Sequence, residues 1–331
     1  MSTKRSLAHT RARLRLFALA PVLALVAGAA AAGGDHHKGP MHHDIWVTLK
    51  GENAVAPLGR PMKWPAGKGM TYVSATPDGK RVFATSAAED TIYAYDGHSG
   101  RLLARIPVGK TPKGIKVDRK GRYAIAADEG AGTITVIDVA ALKPVKTIAV
   151  GPMPHNSVLS PDNRTLYVTL QGGKSVAVVD MERLEKVGEL PAGTAPHNVD
   201  ISPDGKRLFV ANNASMDLTV VDIAGRRVVK RIPLSPPHYG VDVTPDGRYV
   251  LVTGIAGKVV TVVDARTLEV VKRIEVGQGP HGVRASADGR RAYVAVTGPS
   301  KVAVIDLERL EVSGWLEPGK MPFWVAVRGN T

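Results

Sequence analysis

The chain repeats itself every 42 residues, and no other feature limits its fold as tightly. Laid on itself at that shift, it brings Phe83, Ile125, Tyr167, Phe209, Leu251 and Tyr293 into one column and Asp96, Asp138, Asp180, Asp222, Asp264 and Asp306 into another. Gly79, Gly121, Asn163, Gly205, Gly247 and Gly289 form a third column, and Gly109, Gly151, Gly193, Ser235, Gly277 and Gly319 a fourth. Six units therefore run from Thr71 to Pro322 with no net insertion or deletion. A fixed period of this length marks stacked supersecondary units, none of which can bury its apolar face alone.

Within a unit the signals are all for strands. Asn198 to Ser202 is a short apolar run, Pro203-Asp204-Gly205 a turn, Arg207 to Ala211 a strand, Leu218 to Asp222 an alternating strand, and Arg227 to Leu234 leads to the next unit. Four short strands per 42 residues predict a propeller blade. A helical solenoid is excluded because no 3.6-residue periodicity is sustained. At the N-terminal side, Ile45-Trp46-Val47-Thr48-Leu49 copies Leu166-Tyr167-Val168-Thr169-Leu170, and Trp64-Pro65-Ala66-Gly67 copies Ile106-Pro107-Val108-Gly109. Phe323-Trp324-Val325-Ala326-Val327 takes the first-strand register. The expected fold is thus an all-β, seven-bladed propeller of four-stranded blades over residues 44–331, its last blade closed by both termini so that no sheet edge is left open at the seam.

Tyr167-Val168-Thr169-Leu170, Phe209-Val210-Ala211-Asn212 and Tyr293-Val294-Ala295-Val296 each follow a Pro-Asp-Gly-like turn and precede a Val-Val-Asp or Val-Ile-Asp strand. In this the chain resembles the YVTN family of bacterial propeller proteins. The resemblance covers nearly the whole chain after residue 43 and implies an exported protein. It leaves function open, because one propeller fold serves many activities.

Export is also the expectation from the N-terminus. Lys4, Arg5, Arg11, Arg13 and Arg15 precede a 17-residue apolar run, Leu16 to Ala32, that ends in Ala30, Ala31 and Ala32. This reads as a secretory signal peptide over residues 1–32, cleaved to leave no membrane span. In a Gram-negative cell the destination would be the periplasm. Residues 33–43 read as a flexible segment rich in His36, His37, His42 and His43, donors able to capture Cu or Zn weakly. With no cysteine there is no disulfide, no thiolate site and no covalently attached c-type haem. Beyond the signal, 39 Lys and Arg face 30 Asp and Glu. The surplus would suit nucleic acid or another polyanion, but these residues are scattered among turns rather than gathered in a block. A monomer is expected.

One column departs from the structural ones. Thr71, Lys113, His155, His197, Tyr239, His281 and Phe323 stand in register just before the expected first strands, with His238 beside Tyr239. These junctions should rim one mouth of the central channel. A ligand-binding set of Lys113, His155, His197, His238, Tyr239 and His281 follows, taking a small ligand or an exported protein partner. The imidazoles of His155, His197, His238 and His281 could equally hold a transition metal such as Cu or Zn. In that case affinity would fall below about pH 6.5, where an ordinary histidine takes a proton. The same residues could instead shape a repeated turn. A comparable histidine placement is found in propellers that bind haem d1, and the resemblance implies a non-covalent tetrapyrrole as a further alternative. Those propellers have eight blades and, in their catalytic members, a c-type haem module that a cysteine-free chain cannot carry. No catalytic elbow, phosphate loop or metalloprotease helix is present, so binding is expected rather than catalysis. The aspartate column reads as turn-forming carboxylates that accept bonds from nearby backbone N–H groups.

Overall fold

A computed structural model describes residues 44–234 and 238–329, with backbone alone for His238 and Tyr239. It contains twenty-eight strands, numbered here in chain order, in seven antiparallel sheets of four. Six sheets are consecutive, from β4 (Met70–Ala75), β5 (Arg81–Ser86), β6 (Thr91–Asp96) and β7 (Leu102–Pro107) onward. The seventh is β28 (Pro322–Val327) paired with β1 (Ile45–Leu49), β2 (Ala54–Pro57) and β3 (Trp64–Pro65), the two-ended blade read from the sequence. Besides β4 and β28, the innermost strands are β8 (Pro112–Val117), β12 (Pro154–Leu159), β16 (Pro196–Ile201), β20 (His238–Val243) and β24 (Pro280–Ala285). Each packs on its neighbour around the ring, and β28 packs on both β24 and β4. The ring is closed.

The apolar clusters lie between blades, not within them. One joins Phe209 and Val220 to Val241 and Val250 of the next blade, and another joins Tyr167 and Val176 to Val199 and Leu208. Middle strands such as Leu218-Thr219-Val220-Val221 are therefore buried on both faces, which explains their β-branched content. The repeated turn glycines satisfy a backbone demand. Gly79, Gly121, Gly205, Gly247 and Gly289 have φ between 67° and 72°, and Asn163 fills the sixth place at 66°. The aspartate column caps turns as expected: Asp180 Oδ1 accepts from the Glu182 and Arg183 N–H groups at 2.8 and 2.9 Å, and the other five accept similar bonds.

Two features shape the channel. Every innermost strand carries one extra residue near its start. Pro154 faces Leu170 while Ser157 faces Val168, three steps against two. The same bulge recurs in the other six blades. Successive residues of an unbroken strand alternate between faces, so this extra residue resets the alternation. The second feature is a threonine staple between blades. Thr169 Oγ donates to the His197 carbonyl (2.9 Å) and accepts from the Asn156 N–H (3.0 Å) in the bulge of its own blade. Thr48, Thr85 and Thr253 likewise reach the carbonyls of Thr71, Lys113 and His281.

Candidate functional site at the channel mouth

The expected rim residues are not ahead of the inner strands but second within them, because each strand starts at the preceding proline-type position. They sit inside the bulge, and His155 faces the channel. Contacts across non-adjacent blades establish this: Tyr72 of the first consecutive blade donates its hydroxyl to His155 Nε2 of the third at 2.9 Å. His155 Nδ1 lies 2.7 Å from Glu129 Oε2, which comes from the loop after β9 (Tyr123–Asp128) in the intervening blade. Lys113 Nζ is 3.8 Å from the other Glu129 oxygen.

These bonds fix the state of the imidazole. Burial, aided by the Lys113 charge, pushes the His155 pKa down to about 3, so the 2.7 Å contact is a neutral Nδ1–H donating to a carboxylate. Nε2 is then the acceptor of the Tyr72 O–H. Burial raises the Glu129 carboxyl, against the pull of Lys113 and His197. His197 stacks on His155 with ring centroids 3.8 Å apart, and its Nδ1 accepts from Asn198 Nδ2 at 2.8 Å. Asn198 in turn accepts from Asn156. On the opposite side His281 packs on Phe323 at 4.3 Å, and Lys50 Nζ stands 5.1 Å over the Phe323 ring. Burial and the Lys50 charge lower His281 to about 4.

The structure bears on the sequence reading in three respects. His155 and His197 come together, but His281 stands across the mouth beside Phe323. Neither His155 nor His281 titrates near pH 6.5, because each is held neutral far below it. Among the described residues no three His, Asp or Glu side chains form a metal-ligand set. Both His155 nitrogens are occupied by hydrogen bonds, so that ring offers a metal no lone pair. The side chains of His238 and Tyr239, and all of His36, His37, His42 and His43, lie outside the described residues.

A second tier below the rim was missed from the sequence. Lys116, Asp200, Asp242 and Arg284 occupy the position three residues after the rim on β8, β16, β20 and β24. They influence one another from four different blades, which only side chains converging on the axis can do. Arg284 Nη1 donates to Asp242 Oδ1 at 2.9 Å, Asp242 Oδ2 accepts from the Ala285 N–H at 2.6 Å, and Asp200 Oδ2 accepts from the Val243 N–H at 2.7 Å. Burial, aided by Arg284, lowers Lys116, and burial raises Asp242 against the pull of Arg284. Arg284 also lies 5.3 Å over Trp324, whose ring is 4.3 Å from Tyr72, so the two tiers touch. Phe323 and Trp324 are thus more than seam packing. The sequence signal was there, as charges in a column that holds Ser74, Val158 and Ala326 elsewhere.

Clefts on the outer surface recur with the blades and follow from the repeat. Thr76 to Arg81 with Lys120 and Gly121, and Ser202 to Arg207 with Asp246 and Gly247, line equivalent grooves on the turn face.

Known proteins share this architecture. The family model for the seven-bladed β-propeller lactonases matches residues 72–228, and that for the cytochrome d1 haem domain matches residues 234–317. No match to a curated protein reaches significance. Among solved structures, hydrazine synthase of Kuenenia stuttgartiensis superposes with a TM-score of 0.73 at 22% identity, over 82% of this chain and 93% of that one. A functionally unknown protein from Desulfotomaculum acetoxidans gives 0.73 at 14% identity, over 86% and 98%. Dihydro-haem d1 dehydrogenase NirN, in complex with DHE, gives 0.66 at 18% identity, over 89% and 77%. Identities this low establish a shared fold.

Proposed function

We propose that this protein is an exported binding propeller rather than an enzyme, and that its mouth holds a planar, carboxylate-bearing ligand, with a non-covalent tetrapyrrole as the class to test first. The observation that carries the reading is the asymmetric rim. Phe323 offers a ring face between Lys50 and His281, while Lys113 adds a second ammonium on the far side. Ammonium groups on two sides of a mouth that also carries an aromatic ring suit an anionic planar body. The partial match to the cytochrome d1 haem domain and the likeness to a propeller solved with DHE support the choice of class.

The residues fit the periphery of such a group better than its metal. Lys50 and Lys113 would pair with ring carboxylates, Phe323 would stack, and His155 would position Glu129 rather than ligate iron, since both its nitrogens are taken. When bound, a tetrapyrrole would supply redox or ligand-carrying chemistry. Export rests on the basic N-terminus and the apolar run ending at Ala30 to Ala32, and a ligand met in the periplasm would need no membrane passage.

The test is absorption and calorimetric titration of the mature protein with haemin and with iron-free protoporphyrin. Both should bind, and Lys113→Met with Phe323→Ala should weaken binding at least tenfold, which is about 1.4 kcal/mol. Failure of both tetrapyrroles to bind, or equal binding by the double variant, overturns the proposal.

A further inference from the structure

We infer that Tyr72 is a proton-coupled redox tyrosine, able to give up one electron while its phenolic proton passes into the relay formed by His155 and Glu129. The inference stands on the channel's own geometry and does not depend on which ligand the mouth takes.

Three observations carry it. The hydroxyl of Tyr72, a residue only 2% exposed, is aimed at the acceptor nitrogen of a neutral imidazole 2.9 Å away. That imidazole's other nitrogen donates to a carboxylate at 2.7 Å. A phenol oxidised without losing its proton becomes a strongly acidic cation, which a buried site cannot stabilise, so the base must already be in place. Burial also penalises an imidazolium at His155, and the relay avoids forming one. As the phenolic O–H breaks, its proton joins Nε2 and the Nδ1 proton moves to Glu129 Oε2. The electron leaves to an outer-sphere metal-complex oxidant, whose metal is reduced by one unit. The products are a neutral tyrosyl radical, a neutral imidazole of the opposite tautomer and a protonated carboxyl, so the charge that loses its partner is the Lys113 ammonium, which is partly exposed at the mouth. The burial that raises Glu129 favours that last protonation.

The third observation concerns the competitor. Trp324 packs 4.3 Å from Tyr72 and would share an electron hole, but the Arg284 guanidinium sits 5.3 Å over its ring. A cation at that face opposes positive charge on the indole. The hole should therefore settle on Tyr72, which has a proton acceptor.

The experiment uses an outer-sphere one-electron oxidant, hexachloroiridate(IV), with freeze-quench electron paramagnetic resonance on wild type, Tyr72→Phe and Glu129→Gln. Wild type should yield a neutral tyrosyl signal. Tyr72→Phe should lose it although seven of the eight tyrosines remain. Glu129→Gln keeps an acceptor oxygen at the partly exposed relay end but cannot take the proton, and should lower the radical yield about tenfold, a barrier change of about 1.4 kcal/mol. A Tyr72→Phe signal equal to wild type overturns the assignment, and an unchanged yield in Glu129→Gln overturns the relay. Should Tyr72→Phe fail to fold, Glu129→Gln alone still decides, since its change lies at the mouth.

Discussion

The turn face and the rim face of the propeller obey one 42-residue period and use it in opposite ways. On the turn face the residue repeats: Asp78, Asp162, Asp204, Asp246 and Asp288 each accept from a Ser or Thr hydroxyl two residues earlier and from a backbone N–H two residues later. On the rim face the position repeats but the residue varies. The same bulge holds Thr71, Lys113, His155, His197, Tyr239, His281 and Phe323 in turn, three of them histidines and the other four all different. A column that keeps one residue throughout meets a backbone requirement, while a column that varies at the mouth brings different side chains to one place. Because Lys116, Asp242 and Arg284 of the tier beneath the rim are buried and charged, substitutions there should cost more than substitutions among the solvated turns.

The largest expected effect tests that ordering directly. Arg284→Met leaves Asp242, 1% exposed, without its 2.9 Å partner, and should destabilise by about 3–5 kcal/mol at pH 8 in urea denaturation. Burial already raises the Asp242 carboxyl and removing Arg284 raises it further, so the loss should shrink as pH falls from 8 and protonation neutralises the buried carboxylate. A loss under 1 kcal/mol at pH 8 would show that the tier is not a coupled buried unit.

A smaller effect of opposite sign concerns Asp128, fully buried at the end of β9 with Oδ1 unpaired and its pKa raised by burial to about 6. A carboxyl whose folded value lies above its unfolded one binds extra protons when folded. Stability is therefore highest below about pH 4, falls as pH rises to about 6 and stays lower above. The equivalent residue two blades on is Asn212, whose Nδ2 bonds Asp217 Oδ1 at 2.7 Å and Thr219 Oγ at 2.9 Å. Asp128→Asn should thus gain on the order of 1–3 kcal/mol at pH 7.5 and flatten the pH dependence of melting between pH 4 and 6. No gain, or an unchanged pH profile, would mean that Asp128 is charged and solvated in the folded state.

The smallest effect belongs to the turn face. Asp204→Ala removes the bonds from Ser202 Oγ (2.6 Å) and the Lys206 N–H (3.0 Å) at an exposed corner, and should lower stability by no more than about 1 kcal/mol. A cost matching that of Arg284→Met would erase the contrast between the faces.

The fold was legible because period, turn chemistry and strand pattern agree at every level. Even the seam was readable, since Ile45–Leu49 and Phe323–Val327 carry the register of missing strands. The site was only half legible. The histidine column declared itself by repetition, but its depth did not, because positions three apart on a strand ordinarily face opposite sides. The bulge that places Lys116 under Lys113 and Arg284 under His281 has no residue signature of its own. Glu129 comes from a loop and Tyr72 from the neighbouring column, so neither could be joined to His155 without coordinates.

The seam also sets an order of events in time. Thr48 Oγ accepts from the Trp324 N–H across 276 positions of sequence, and Phe323 and Trp324, both on the strand that closes the ring, form part of the mouth and of the stack beneath it. Blades can nucleate early from local contacts, yet the ring must wait for its longest loop to close. A folding chain thus holds most of its blades before the mouth is complete, and the proposed ligand capture must follow closure of the ring.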